Sequence, residues 1–170
     1  MNSRIHIRPM INTDVSLVFH ALNHHNISKP LDYINRCWEQ NKTGERTSLI
    51  ALHEGQFAGW LHLLKTSYYP HFVENGIPEI NNFDVVPTLR QLGIGSALMD
   101  AVEKFAFEEH RIVGIGVGLY ESYGNAQRLY IKRGYIPDGR GVMYKEQPVI
   151  PGTEVCVDDD LVLYFTKERR

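Results

Sequence analysis

The sequence predicts an α/β or α+β fold in which helices flank a mixed β-sheet. Segments rich in β-branched and aromatic residues alternate with segments whose apolar residues recur every three or four positions, in the order β-α-α-β-β-β-α-β-α-β-β. The length of 170 residues suits one ordinary domain, and a content of 43% apolar and 22% charged residues is typical of globular proteins. We therefore expect residues 1–170 to form a single domain with a sizeable core.

Charge and hydropathy argue against several classes of partner. The 18 basic and 20 acidic residues leave a formal net charge of −2, so the whole chain has no electrostatic attraction for nucleic acid or an anionic membrane. No segment has the roughly 18 consecutive apolar residues of a membrane-spanning helix, and residues 1–6 contain no signal-like apolar stretch. The sequence predicts a cytoplasmic protein without nucleic-acid or membrane partners.

The cysteines and histidines form no recognisable disulfide or metal pattern. Cys37 and Cys156 are too few for a disulfide-stapled scaffold, and no C-x-x-C spacing occurs. Of the eight histidines, His20 and His24 lie four residues apart, as on one helix face, but no paired motif supplies further ligands. We expect no metal site and no catalytic cysteine.

In the first half of the chain, helical spacing and turn residues set the predicted element boundaries. Val15, Val18 and Leu22 share one helical face behind Asp14, whose charge suits the positive end of a helix dipole. We expect a strand at residues 4–8, a helix that begins near Asp14, a helix from Pro30 to Gly44, and a hairpin of strands 47–52 and 57–64.

The second half contains a long helix and a strand with one face of glycine. Apolar residues recur at helical spacing over residues 94–109. In the strand at residues 112–119, three glycines alternate with Ile115, Val117 and Leu119, which would let another backbone, a helix or a ligand approach closely. We also expect an irregular, aromatic-rich loop at 68–76, a strand at 77–86, a helix at 125–133, and short strands at 135–136 and 161–166 around a turn-rich stretch.

The most informative segment lies at residues 85–96, where a strand ends, the chain turns through two glycines and the long helix begins. Gly93 and Gly95 let the backbone approach a ligand, and the first N–H groups of the helix point outward at its positive end, a geometry that binds phosphate. Arg90 adds a permanent charge that can bind phosphate with two hydrogen bonds. Tight packing between strand and helix is the alternative use of these glycines.

Two other phosphate-binding motifs do not fit this turn. A nucleotide P-loop requires a Lys-Ser/Thr pair after its last glycine, but Ser96 and Ala97 stand there. A dinucleotide fingerprint requires a third glycine at the position of Leu98. A nucleotide-binding enzyme is therefore disfavoured.

Two motifs together resemble the GNAT superfamily of N-acetyltransferases. The R-x-x-G-x-G pattern of residues 90–95, between a strand and a long helix, resembles the acyl-CoA pyrophosphate loop of that family. Residues 126–135, A-Q-R-L-Y-I-K-R-G-Y, resemble the A-x-x-L-Y-x-K-x-G-F/Y run that closes the family's CoA-binding half. The resemblance covers residues 77–135 and implies a GNAT-like mixed, splayed central β-sheet, with acetyl-CoA as the co-substrate that enters between the fourth and fifth strands.

Direct transfer of an acetyl group to an amine needs a base, a donor for the developing oxyanion, and an acid for the departing thiolate. By resemblance, Tyr130 is the general acid, and Glu79, eleven residues before Arg90, is the base, acting directly or through water. A core aromatic and an exposed carboxylate at the start of a strand are the alternative interpretations. The resemblance also makes the backbone N–H of Val85 the oxyanion donor. The predicted cofactor-binding residues are Asp84, Val85, Val86, Arg90, Gln91, Leu92, Gly93, Ile94, Gly95, Ser96 and Asn125.

One position departs from the family pattern. Seven residues before the tyrosine the family often has an asparagine that contacts the cofactor, and this chain has Tyr123 there. Either Asn125, two positions later, makes that contact from a shifted helix start, or the contact is absent.

The sequence therefore predicts an acetyl-CoA-dependent N-acetyltransferase that acts on a primary amine of a small molecule or a protein. A non-catalytic acyl-CoA-binding or regulatory module of the same fold is the alternative. The resemblance adds a homodimer as an assembly to test. The run Asp158, Asp159, Asp160 is expected to be a solvated turn, with attraction of a cationic acceptor as the alternative.

Overall fold

A computed structural model describes residues 4–169 of the chain. These residues form two compact units, one made of residues up to 65 together with 81–105, the other of residues 66–80 together with 106 onward. Residues 1–3, which belong to the N-terminal segment considered above, and residue 170 lie outside the described residues. No helix within residues 4–169 is long and apolar enough to cross a membrane.

The first unit consists of antiparallel strands and the helices packed on them. Its elements are β1 (Ile5–Pro9), α1 (Asp14–His24), α2 (Leu31–Thr43), β2 (Arg46–His53), β3 (Gln56–Leu64), most of β4 (Glu79–Val85), a 3₁₀ turn (Pro87–Leu89) and the first part of α4 (Ile94–Glu109). Their strand order is β1-β2-β3-β4. The pairs β1/β2 and β2/β3 are antiparallel, with one register shift between Ala51 and Leu52.

The core of the first unit lies between the two helices and the sheet. Val18 and Leu22 of α1, Ile34 and Cys37 of α2, and Trp60 of β3 belong to one buried cluster. Full burial of such apolar side chains is the main source of folding free energy. Cys37 therefore packs in this core.

A partly buried ion pair joins β1 to the start of α1. Arg8 donates two hydrogen bonds to Asp14, at 2.6 and 2.8 Å, and the backbone N–H of Ile11 donates a third at 2.7 Å. Asp14 is 2% exposed, so its carboxylate needs these donors to offset its lost hydration. Asp14 thus connects two elements, in addition to its position in the first turn of a helix.

The second unit combines one parallel strand pair with antiparallel pairs. Its elements are α3 (Pro70–Glu74), the first two residues of β4, the end of α4, β5 (Ile112–Gly118), a 3₁₀ turn (Glu121–Tyr123), α5 (Gly124–Lys132), β6 (Ile136–Tyr144), β7 (Gln147–Pro148) and β8 (Leu161–Glu168). The strand order is β4-β5-β8-β6-β7. The parallel pairing of β4 with β5 joins Glu79 to Gly114 and Ile80 to Ile115.

Aromatic rings cover the glycine face of β5. A Cβ added to Gly114 would lie 2.1 Å from the ring of Phe72, and one added to Gly118 would lie 2.5 Å from the ring of Tyr123. At Gly116 the nearest atom belongs to Tyr164, at 3.0 Å. The close approach predicted from these glycines therefore exists, but side chains make it rather than a backbone, a helix or a ligand.

The mixed α/β class predicted from the sequence is confirmed, and the main errors concern irregular segments. The loop expected at residues 68–76 contains the short helix α3, which begins at Pro70 because proline suits the first helical position. Strand β6 extends to Tyr144 rather than ending at Ile136, and β7 was not predicted. The extension of β6 depends on its pairing with β8, which is distant in sequence and which local patterns do not reveal. Strand β7 pairs with the end of β6 across a tight turn in which Lys145 and Glu146 both have left-handed φ angles, although neither is a glycine, asparagine or aspartate that would signal such a turn.

Candidate functional site

The turn between β4 and α4 presents its backbone to solvent. After the 3₁₀ turn, Arg90 is extended, and Gln91 and Gly93 have left-handed φ angles of 65° and 88°. Residues 90–93 are all exposed. Glycine adopts such an angle without strain, whereas Gln91 adopts it at some cost. The turn therefore has a defined, open shape rather than a packed one.

Helix α4 begins at the end of this turn. Ile94 is 1% exposed and anchors the helix in the core, while Ser96 faces solvent. A Cβ on Gly95 would lie 3.3 Å from the tip of the Phe83 ring, so a larger residue there would press on β4. The first N–H groups of a helix have no carbonyl partner within it and lie at its positive end, which suits an anion.

Arg90 and Val86 have backbone partners at the end of β4. The Nε–H of Arg90 donates to the carbonyl of Val85 at 3.3 Å. The N–H of Val86 donates to Ala58 at 2.9 Å, and its carbonyl accepts from Leu89 at 2.9 Å. Val86 therefore already uses both of its backbone groups within the fold, and the carbonyl of Val85 also has a partner.

Tyr130, the predicted acid, lies on α5 and is 4% exposed. Burial raises the pKa of its phenol above the ordinary value of 10, so the group stays protonated at neutral pH. Within residues 4–169, no side chain or carbonyl accepts a hydrogen bond from its hydroxyl. Its nearest ring neighbour is Tyr135, at 6.0 Å between centroids. A protonated phenol without a partner can donate to a bound group.

Glu79, the predicted base, begins β4 and is 5% exposed, so it is not the exposed carboxylate that the alternative interpretation requires. Ser67 donates to its carboxylate at 2.5 Å, and Ser67 in turn accepts the backbone N–H of Tyr69 at 2.9 Å. Position Ser67 was not identified from the sequence, because nothing local distinguishes it. A buried carboxylate that accepts a hydrogen bond from a hydroxyl can still take up a proton.

Stacked aromatic rings lie in the same unit as this carboxylate. Tyr69 and Tyr164 stack with centroids 3.9 Å apart and planes within 5°. The hydroxyl of Tyr69 donates to Asp138 at 3.0 Å. Burial is the main cause that raises the pKa of both phenols, and the charge of Glu79 contributes at Tyr164. The aromatic-rich loop predicted from the sequence thus contains a packed Tyr69 and an exposed Tyr68.

Tyr123 is held by the acidic run near the last strand. Its hydroxyl donates to Asp159 at 2.8 Å, and Tyr120 donates to the same carboxylate oxygen. Tyr144 donates to Asp158 at 3.2 Å. The prediction of a solvated turn is therefore incomplete, because two of the three aspartates bind tyrosine hydroxyls.

Asn125 lies exposed in the first turn of α5, which begins one residue earlier than predicted.

Within residues 4–169, no three His, Cys, Asp or Glu side chains are grouped so as to hold a metal ion. Cys37 is buried and Cys156 is exposed, and both are free thiols. The functional groups described above are backbone amides, hydroxyls and carboxylates. The amides suit an organic anion, and the hydroxyls and carboxylates suit proton transfer.

The chain matches one protein family and shares its fold with solved structures. The model of the acetyltransferase (GNAT) family matches residues 17–135. Comparison with curated protein sequences gave no match.

Three solved structures illustrate the likeness in fold. YncA from Salmonella typhimurium, solved with its cofactor acetyl-CoA, has 16% identity and a TM-score of 0.69, covering 98% of this chain and 94% of that one. Spermidine N-acetyltransferase from Vibrio cholerae, in complex with CoA and spermine, has 13% identity and a TM-score of 0.69, covering 98% and 96%. The Salmonella typhimurium acetyltransferase that modifies the N-terminal serine of ribosomal protein L7/L12 has 10% identity and a TM-score of 0.72, covering 99% and 96%.

Proposed function

Because the chain belongs to the acetyltransferase (GNAT) family, we propose that it transfers the acetyl group of acetyl-CoA to a primary amine by direct attack. We treat residues 1–170 as one N-acetyltransferase domain. Acetyl-CoA, when bound, supplies an activated thioester, and the residues of the chain bind it, orient it and move protons.

The open turn between β4 and α4 is the observation that carries this proposal. Gln91 and Gly93 hold the backbone in left-handed conformations at the start of a long helix, and the surrounding residues are exposed. The amides of residues 91–96 would hold the diphosphate of the cofactor, and the Arg90 guanidinium would add a charge. The charge of the diphosphate suits this turn, because residues 90–96 include no carboxylate that would repel it.

The proposed chemistry assigns one role to each of three groups. Glu79 takes the proton of the acceptor ammonium, whose ordinary pKa near 10.4 leaves it almost wholly charged at pH 7. The backbone N–H of Val85 stabilises the oxyanion as the amine attacks the thioester carbonyl. Tyr130 donates its proton to the departing thiolate, and the raised pKa of its phenol keeps that proton available.

The acceptor class is proposed only as a primary amine, on a small molecule or on a protein. Both kinds occur among proteins of similar fold, since one is solved with spermine and another modifies the N-terminal serine of a ribosomal protein. Asn125 is the proposed replacement for the family asparagine because it is exposed in the first turn of α5.

Release of free thiol in the presence of acetyl-CoA and an amine tests the proposal. The purified protein is incubated with acetyl-CoA and, separately, with polyamines, aminoglycosides, lysine-containing peptides and free peptide N-termini. We expect thiol release that depends on at least one amine. Binding of CoA by calorimetry without turnover on the panel would favour a non-catalytic acyl-CoA-binding module. ATP binding without CoA binding would contradict both and favour a nucleotide enzyme.

A further inference from the structure

Strand β4 contains one residue in a conformation that strands do not adopt. Asn82 has a φ of 47°, in the left-handed region, although residues on both sides of it belong to the strand. Among residues other than glycine, asparagine tolerates this region best, but the conformation still costs free energy unless surrounding contacts support it.

Two hydrogen bonds hold the Asn82 side chain from opposite ends. Its amide Nδ2–H donates to Nε2 of His62 at 3.1 Å, and its Oδ1 accepts from the ammonium of Lys29 at 2.6 Å. Lys29 precedes α2, and His62 lies on β3. The side chain is therefore fixed by strand β3 and by the segment that leads into α2.

The His62 ring is fixed in turn by a buried serine. Nδ1 of His62 lies 2.8 Å from Oγ of Ser48 on β2, and both residues are fully buried. Because Nε2 accepts from Asn82, Nδ1 carries the ring proton and donates to Ser48. Burial, assisted by Arg46 and Lys29, lowers the pKa of His62 and so keeps the ring in this neutral form.

The backbone conformation of Asn82 determines where the next residues of β4 lie. Phe83 lies against Gly95 at the start of α4. Asp84 accepts the indole N–H of Trp60 at 3.0 Å, and its carbonyl oxygen would lie 2.7 Å from a Cβ on Gly59. A change of φ at Asn82 would change the direction of residues 83–85, which are closely packed. This segment contains the proposed strand contacts for acetyl-CoA.

We propose that His62 is a positioning residue that acts through Asn82: it holds the left-handed conformation in β4 and thereby presents Asp84 and Val85 to acetyl-CoA. This inference rests on the proposed function, since it concerns the same site. His62 is fully buried, so it acts on the strand and not on the substrate itself.

A double-mutant cycle between His62 and Asn82 tests the inference. His62→Leu removes the acceptor for the Asn82 amide, and we expect the dissociation constant for acetyl-CoA, measured by calorimetry, to rise about tenfold. His62→Gln offers a carbonyl acceptor and should recover most of the affinity. Asn82→Gly adopts the left-handed angle without a side chain and should bind nearly as the wild type does. The double variant His62→Leu/Asn82→Gly should then bind like Asn82→Gly alone.

Two further variants separate positioning from general destabilisation. Ile34→Ala, in the core of the same unit, should lower the melting temperature without changing affinity for acetyl-CoA in the folded protein. Lys29→Met removes the second hydrogen bond to Asn82, together with the ion pair that Lys29 makes with Asp84 at 3.6 Å. Because Lys29 is only half-buried, this variant should fold even if His62→Leu does not, and it should also weaken binding.

The outcomes distinguish failure of this inference from failure of the proposed function. If the wild type binds acetyl-CoA and both His62→Leu and Lys29→Met bind it equally well, the positioning role is wrong and the proposed function stands. If the double variant binds as weakly as His62→Leu, Asn82 is not the intermediary and the inference also fails. If the wild type itself binds no acetyl-CoA, the proposed function falls and the inference with it.

Discussion

Tyr130 and Glu79, the proposed acid and base, lie in different environments. Tyr130 is buried with a free hydroxyl, so its proton has no competing acceptor within residues 4–169. Glu79 is buried beside the hydroxyl of Ser67, so its charge is stabilised by a hydrogen bond. These environments suit the proposed roles, in which Tyr130 donates a proton and Glu79 accepts one.

We expect Tyr130→Phe to lower kcat by about 10²–10³ while leaving the affinity for acetyl-CoA nearly unchanged, because only the proton donated to the thiolate is lost. Steady-state kinetics with the identified acceptor and calorimetry with CoA measure the two quantities. Since burial raises the pKa of this phenol above 10, wild-type kcat should not decline on the alkaline side below about pH 10. Unchanged turnover in the variant would exclude Tyr130 as the acid.

We expect Glu79→Gln to lower kcat at pH 7 by at least about tenfold, because the acceptor ammonium loses its base. The defect should shrink as pH rises toward 10, where the free amine forms without help. A pH-rate profile of both proteins measures this. Ser67→Ala is the matched control, since it removes the hydrogen bond but keeps the carboxylate, and its effect should be smaller. A constant ratio of the two rates at all pH values would contradict the base role.

At the level of elements, the junction of β4 with α4 combines a rigid helix start with an open turn. Ile94 anchors the helix, while a Cβ added to Gly93 would have no atom within 4 Å. A side chain at position 93 would therefore meet no neighbour, and its effect would come from the left-handed φ angle and from the space it takes above the turn.

We expect Gly93→Val to weaken acetyl-CoA binding by at least about tenfold, because the strained turn and the added side chain would disturb the amides proposed to bind the diphosphate. Gly44→Val is the matched control: Gly44 caps α2 with a φ of 79° and also has no atom within 4 Å of an added Cβ. Both variants should lose similar thermal stability. Equal affinities in calorimetry would place the diphosphate elsewhere.

Local patterns predicted what depends on neighbouring residues. The turn at residues 90–95 and helix α4 follow from glycine spacing and apolar periodicity, and their boundaries agree closely with the structure. The partners Ser67 of Glu79 and His62 of Asn82 could not be predicted, because each pair is separated by 12 or 20 residues and joined only by folding. The same reason explains the missed pairing of β6 with β8.

At the level of the whole molecule, the titration of buried groups sets how stability depends on pH. Burial lowers the pKa of His62 well below 6.5, so near pH 6 the unfolded chain binds a proton that the folded protein does not. Stability therefore rises with pH in this range. The contribution of His62 is complete above about pH 6.5 and declines below it.

We expect the free energy of unfolding to fall between pH 7 and pH 5, with His62 responsible for at most about 1.4 kcal/mol per pH unit. Urea unfolding of the wild type and of His62→Gln at both pH values measures this share, because the other titrating groups are common to the two proteins. The variant should lose less stability than the wild type over this interval. Parallel losses would mean that His62 takes up no proton on unfolding.

The exposed Cys156 has a practical consequence for measuring the reaction. A disulfide-exchange dye that detects liberated CoA would also react with the Cys156 thiol. The assay therefore requires the Cys156→Ser variant, in which the protein itself gives no slow increase in signal. The carboxylate of Asp158 raises the pKa of the Cys156 thiol, which lowers the fraction of reactive thiolate and so slows such labelling near neutrality. Because Cys37 is buried, the same sulfhydryl offers a single attachment point for a spectroscopic probe beside the tyrosine-bound aspartates.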